Sequence, residues 1–390
     1  MRIASLFPGL FIMLLAGCGH SSQQHPPSGQ STFAQYQRET TLWVQQHRHF
    51  QSPDREMELR WNTPQEWRPE GRAQKGILLI HGLGDAPGSF TDIAPELARQ
   101  GFLVRSVLLP GHGTRPEDLN AVSVNDWRRV VSEQATILQK EVDEIWLGGF
   151  STGANLAIEY AVKHPEVAGM LLFSPAIRSN EPLVALTPFI APFRQWLKAP
   201  RTGYPLQRAT RYMIVPTNGF AQFWYSSSAA QAALHRHPYD KPVLMVLTEH
   251  DSVLDTPAML KTFDQQFTSP RSRLIWYGDP QRERVLSRRV VVRPDALPRQ
   301  RISQFSHMSV LFSPQNPVYG VRGSDRMCEN GQREEDYRAC RQGAEVWFSA
   351  WGYREVGKIH ARLTWNPWFS WQNEIMAQVV TEENAGPDRG

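Results

Sequence analysis

Glu144-Ile145-Trp146-Leu147-Gly148-Gly149-Phe150-Ser151-Thr152-Gly153 runs from an apolar stretch into an amphipathic one that continues to Lys163. The apolar run predicts a buried strand, and residues 151–163 predict a helix. Between them Gly149-Phe150-Ser151-Thr152-Gly153 sets a Gly-x-Ser-x-Gly pattern at a strand-to-helix junction. A serine in that turn adopts strained backbone angles, and the flanking glycines leave room for the strand to pack closely on the helix. Ser151 is therefore the candidate nucleophile.

The same rhythm extends in both directions. Apolar runs at Gly76-Ile77-Leu78-Leu79-Ile80, 102–109, 167–173, 242–247 and 272–277 alternate with helical stretches near 90–100, 124–142 and 257–267. Buried strands separated by helices predict an α/β architecture with a doubly wound, mostly parallel sheet. Upstream, residues 33–50 read as a helix, and the alternation Met57-Glu58-Leu59-Arg60-Trp61 reads as an edge strand. Between about 178 and 241 the pattern breaks into a segment rich in Pro and aromatics, too long for a simple connection, which predicts an inserted lid or cap.

The chain has 390 residues, with 42 Lys+Arg against 38 Asp+Glu and 41% apolar residues, a globular composition. Its basic residues are scattered rather than gathered with aromatics, so nucleic acid is not expected as a partner. No apolar stretch beyond residue 20 approaches the ~20 residues that cross a bilayer.

A serine hydroxyl needs a base to take its proton and an acid to orient that base. Where the serine sits on a strand-to-helix turn of this kind, the chain order is Ser, acid, His. After the strand ending at Leu247 comes Thr248-Glu249-His250-Asp251-Ser252-Val253-Leu254-Asp255. Asp251, in the first turn beyond the strand, is the candidate acid, with Glu249 and Asp255 as competitors. His307, in Phe305-Ser306-His307-Met308-Ser309, is the sole His between Asp251 and Trp347 and is the candidate base. A tetrahedral oxyanion needs two preorganised N–H donors. Thr152, after the serine, and Leu83, in His81-Gly82-Leu83-Gly84, are expected to supply them. His81 precedes the serine and is read as bracing its turn. This chemistry calls for no metal and no cofactor. His235-Arg236-His237 with Asp240 could ligate zinc, but reads as a solvated surface.

These runs, with Leu109-Pro110-Gly111-His112-Gly113-Thr114, resemble the α/β-hydrolase superfamily in its monoacylglycerol lipase and carboxylesterase branch, over roughly residues 74–312. The resemblance implies the α/β-hydrolase fold, a Ser-His-Asp mechanism on carboxylic esters, and a structural rather than catalytic role for His112. Two features depart from it. A basic insertion at 282–301 holds the strand-like Arg289-Val290-Val291-Val292, and the segment from about 314 exceeds a single closing helix. The Trp365-Asn366-Pro367-Trp368-Phe369-Ser370-Trp371 run is expected to pack on the sheet or lid rather than enter a membrane.

Residues 1–17 read as a signal peptide, and Leu15-Ala16-Gly17-Cys18 resembles a bacterial lipobox, which implies acylation of Cys18. Gly19 in place of the Asp that retains such proteins at the inner membrane implies sorting to a Gram-negative outer membrane, on its periplasmic face. Residues 18–32 have linker composition, which leaves 33–390 for the hydrolase domain. Export makes a disulfide between Cys328 and Cys340 the expected state. The expected partner is a medium- or long-chain acyl ester such as a monoacylglycerol or lysophospholipid. Alternatives are a thioesterase or peptidase of the same fold, or a scaffold that binds lipid or protein without catalysis.

Overall fold

The computed structural model describes residues 25–281 and 286–381. The signal peptide and Cys18 lie outside the described residues. The elements run α1 (Phe33–His47), α2 (Arg55–Trp61), β1 (Gln65–Trp67), β2 (Lys75–Ile80), α3 (Ile93–Arg99), β3 (Phe102–Val107), α4 (Val124–Gln139), β4 (Glu144–Phe150), α5 (Thr152–Lys163) and β5 (Val167–Phe173). They continue through α6 (Thr187–Ile190), α7 (Thr217–Arg236), β6 (Val243–Thr248), α8 (Thr256–Gln266), β7 (Arg273–Tyr277), β8 (Val290–Arg293), α9 (Glu334–Arg341), β9 (Trp347–Ser349), β10 (His360–Arg362) and α10 (Phe369–Thr381).

Eight strands form one sheet in the order β1-β3-β2-β4-β5-β6-β7-β8, parallel throughout except for β1, which pairs antiparallel with β3. Because side chains alternate across a strand, each apolar run feeds two cores. Leu78, Ile80, Leu147 and Met245 join α4, α5 and α8 on one face, while Ile77, Leu79, Trp146 and Val246 join α3 and α10 on the other. Burial on both faces is why these strands read as unbroken apolar runs. The α/β-hydrolase fold expected from the sequence is the fold observed. Helix α4 starts at a capping box in which the Asp126 amide donates to Ser123 Oγ and the Asp126 carboxylate accepts from the Ser123 amide.

One expected element is of another type. Residues 57–61 are helical, within α2, and the edge strand is β1. Asp54 caps α2 by accepting from the Met57 amide at 2.9 Å. Glu58 is buried because its carboxylate takes Nε–H of Arg48 at 2.7 Å. A buried ion pair thus occupied a position whose polarity mimicked an outward-facing strand residue, and five residues cannot separate a period of 2 from one of 3.6.

The insertion before β6 carries α6 and α7, with α7 packed on α5, and it exposes Leu183, Phe189 and Phe193. The basic insertion contributes β8 as the last parallel strand. Beyond residue 314 the chain forms α9, a two-stranded parallel sheet of β9 and β10, and α10 against the main sheet. Cys328 and Cys340 are joined by a disulfide. Trp365 and Phe369 are buried in the core on the α10 face, and Trp368 Nε1–H donates to the Pro294 carbonyl at 2.9 Å. Among the described residues no helix is long and apolar enough to cross a membrane.

Candidate active site

After β2 the chain crosses to one side for β3, and then to the other for β4, so the loops that follow β2 and β4 diverge at their carboxyl ends. Such a switch point leaves a crevice in open α/β sheets. Leu83 follows β2 and Ser151 follows β4.

Ser151 has φ 55° and ψ −117°, a conformation that L residues adopt at a cost of about 1–3 kcal/mol. Backbone hydrogen bonds hold it there. Its amide donates to the Phe173 carbonyl at 3.0 Å, and its carbonyl accepts from Ala154 at 3.1 Å and Ala176 at 3.2 Å. At Gly153 a Cβ would strike the carbonyl oxygens of Ile80 and His81, and at Gly149 it would strike the Gly153-Ala154 peptide. Both glycines are thus required by close backbone approach.

His307 Nε2 lies 3.0 Å from Ser151 Oγ, and His307 Nδ1 lies 2.7 Å from Asp251 Oδ2. Asp251 is shut off from solvent, and its second oxygen accepts the amides of Val253 at 2.8 Å and Leu254 at 3.2 Å. The two competing acids are engaged elsewhere. Glu249 accepts from the Asp279 amide, and Asp255 caps α8 through the Ala258 amide. The insertion at 282–301 does not separate Asp251 from His307, because β8 takes up its chain at the sheet edge and leaves the following loop free to return. It also supplies Asp295, which holds His250 Nδ1 at 2.7 Å, next to Asp251 in the chain.

Among the described residues the amides of Leu83 and Thr152 have no protein acceptor, which leaves both as donors in the crevice. The turn that carries Leu83 is fixed by two buried histidines. His81 Nε2 accepts the Leu109 amide at 3.0 Å, so its Nδ1 carries the proton and donates to the Gly82 carbonyl at 2.8 Å. His112 Nε2 accepts the Gly84 amide at 3.0 Å, and the two rings meet edge to face. Burial lowers His81 to about 4 and puts His112 well below its ordinary value, so both are neutral acceptors at pH 7. Asp85, in the same turn, accepts from Ser89 Oγ at 2.7 Å, and burial pushes its carboxyl up.

Three contributors escape a sequence reading. Ser174, in the residue after β5 with φ 41°, donates its hydroxyl to the His307 carbonyl at 2.9 Å. Its place at a strand's carboxyl end was the available signal. Tyr212, from the insertion, donates its amide to the Gly84 carbonyl at 2.7 Å and its hydroxyl to the Gly111 carbonyl at 3.1 Å. Arg211 donates to Met308 Sδ at 3.2 Å. Nothing in the spacing of those two residues marks them. His235, His237 and Asp240 are exposed, and among the described residues no three His, Cys, Asp or Glu side chains gather as metal ligands.

The family model for the serine aminopeptidase S33 hydrolases matches residues 71–279. A thermostable monoacylglycerol lipase of Bacillus sp. (strain H-257) is 32% identical over 26% of this chain and 41% of its own length. The monoglyceride lipase of Rattus norvegicus is 30% identical over 29% of this chain and 39% of its own. The chain thus spans about two fifths of these relatives. A pimeloyl-[acyl-carrier protein] methyl ester esterase of Citrobacter koseri is 28% identical over 55% of this chain and 79% of its own length. Among solved structures, one from a description of the metagenome-derived lipolytic enzymes LipS and LipT is 24% identical, covering 55% of this chain and 87% of that one at TM-score 0.47. The matched segment covers more than half of the 390 residues and holds both the Ser151 turn and Asp251, and the chain belongs to the serine aminopeptidase S33 family of α/β hydrolases.

Proposed function

We propose that this chain is a serine hydrolase of carboxylic esters. The observation that carries the reading is the contact of one imidazole with two partners, Ser151 Oγ at 3.0 Å and Asp251 at 2.7 Å. His307 Nε2 takes the Ser151 proton as Oγ attacks the acyl carbonyl, while Asp251 holds the Nδ1–H tautomer and offsets the charge on the imidazolium. The carbonyl oxygen becomes an oxyanion and receives the Leu83 and Thr152 amides. Collapse expels the alcohol, which takes the proton from His307. Water, activated by the same imidazole, then releases the acid and restores Ser151.

Relatives named as lipases and as a methyl ester esterase support esters over peptides. Glu181, the one acid near the start of the insertion that could pair with a substrate amine, is exposed and accepts the Leu183 amide. The exposed apolar residues of the insertion support a medium or long acyl chain, as in a monoacylglycerol or lysophospholipid. Acylation of Cys18 would hold the enzyme at the periplasmic face of an outer membrane, beside such substrates. Mass spectrometry of the N-terminal peptide from membrane-extracted protein tests that placement, and an unmodified Cys18 removes it.

Hydrolysis of a chain-length series of p-nitrophenyl esters by the full chain in detergent, beside Ser151→Ala, tests the activity. The reading requires turnover that the variant lacks, and apolar burial of about 0.8 kcal/mol per CH₂ should place its maximum at medium or long rather than acetyl chains. No turnover by folded protein, or turnover that survives Ser151→Ala, would refute it.

A further inference from the structure

The insertion and the C-terminal extension, neither of which belongs to the sheet, grip each other beside the candidate active site. Residues 206–213 fold into a tight hairpin. The Arg208 amide donates to the Arg211 carbonyl at 2.8 Å, the Met213 amide donates to the Leu206 carbonyl at 2.9 Å, and Gln207 bridges Tyr212. The tip of this hairpin is held by the extension. The Arg208 guanidinium meets the carboxylates of Asp325 and Glu329, and Thr210 Oγ1 lies 2.5 Å from the Tyr319 hydroxyl. Arg208, Asp325 and Glu329 expose only 11%, 18% and 15% of their side chains, so the charges are largely desolvated and depend on one another.

The other end of the hairpin touches the reaction machinery. Tyr212 donates its amide to the carbonyl of Gly84, one residue from Leu83, and Arg211 donates to Met308, one residue from His307. Glu329 is fixed in turn by its neighbour Cys328, whose disulfide to Cys340 closes the loop that also holds Glu334 and Tyr337. Those two grip the insertion a second time. Glu334 accepts from Tyr204 and Arg201, and the rings of Tyr204 and Tyr337 stack at 5.0 Å.

We infer that Arg208, clamped by Asp325 and Glu329 of the disulfide-closed extension, is a positioning residue that sets the Leu83 turn and the His307 loop through Tyr212 and Arg211. Arg208 is not itself a catalytic residue. The inference rests on the ester hydrolase reading for its kinetic effect, but its structural content does not. Arg48 and Asn62 also donate to the carbonyl of Ala209 in the hairpin, so the backbone stays attached when the clamp is lost and the effect is on precision rather than on folding.

The test compares the full chain with Arg208→Gln, Arg208→Lys and the double variant Asp325→Asn/Glu329→Gln, by hydrogen exchange and by ester kinetics. In Arg208→Gln and in the double variant, exchange at 82–85 and 206–213 should accelerate at least tenfold while β4 and α5 stay protected. The kcat should fall about 10- to 100-fold, the range for a catalytic donor displaced by about an ångström, with KM changed less than threefold. Arg208→Lys, which keeps the charge without the two-pronged geometry, should recover part of both. Unchanged exchange at 82–85 overturns the inference, as does a rise in KM at constant kcat, which marks a gate, or an equal loss of protection in β4 and α5, which marks general destabilisation. A wild-type chain that hydrolyses no ester would refute the ester reading, and the exchange comparison would still decide this one.

Discussion

The Ser151 turn and the Arg208 hairpin both bear on the same crevice, but they are held in place by different forces. Ser151 is fixed by three backbone hydrogen bonds, to the end of β5, the first turn of α5 and the loop after β5, and by glycines that admit no side chain. Such bonds join uncharged groups of buried residues, so ionic strength does not screen them. The hairpin is held by charged side chains that reach from a separate part of the chain. Interactions of that kind respond to pH and to loss of any one partner. The difference teaches that the nucleophile and the Thr152 donor are part of the sheet's own geometry, whereas the Leu83 donor and the base are adjusted from outside the sheet.

If so, damage at the turn should be far more severe than damage at the periphery of the clamp. The largest effect is expected for Ser151→Ala, which leaves the fold intact but should lower kcat by about 10⁴- to 10⁶-fold, measured by single-turnover release of p-nitrophenol. Asp251→Asn comes next. It keeps the shape but misassigns the His307 tautomer, and kcat should fall about 10⁴-fold in steady-state assays. A loss below tenfold would shift the acid's role to another residue and break the comparison.

A third expectation concerns the histidines beneath the Leu83 turn. Burial lowers His81 to about 4 against an ordinary 6.5, so between these values the unfolded chain binds a proton that the folded chain refuses. His81 therefore leaves stability intact above about pH 6.5 and costs progressively more as pH falls to 4, about 3 kcal/mol in all. His112, shifted in the same direction by burial and by the neighbouring His81, adds to the slope. Denaturant unfolding at pH 7, 5.5 and 4 measures this loss, and a flat profile would contradict the neutral-brace account. The smallest effect is expected at the exposed rim of the clamp. Arg201→Ala removes a pair in which Arg201 is 69% exposed, and should change stability by less than about 0.5 kcal/mol with kcat unaltered.

The legibility of the chain follows the same division. Strands β4 and β5 run over the residues expected of them, because burial on both faces leaves a continuous apolar signal. Ser151, Asp251 and His307 could be named because chain order and strand ends restrict where such side chains can lie. The 57–61 segment misled because Glu58 pairs inside the protein with Arg48, a partner ten residues away that periodicity cannot see. Tyr212 and Arg208 stayed hidden for a related reason. Their roles depend on contacts to Gly84, Asp325 and Glu329, more than a hundred residues distant, and no local pattern encodes them.

The central claim is that Ser151 is a nucleophile activated by His307. It is tested most directly by treating the full chain with a fluorophosphonate and locating the adduct by peptide mass spectrometry. The account predicts a single stoichiometric adduct on the peptide that contains Ser151, with labelling slowed at least about 10³-fold in His307→Ala. Folded protein that takes no label, that is labelled elsewhere, or that is labelled at Ser151 equally fast without His307 would contradict it.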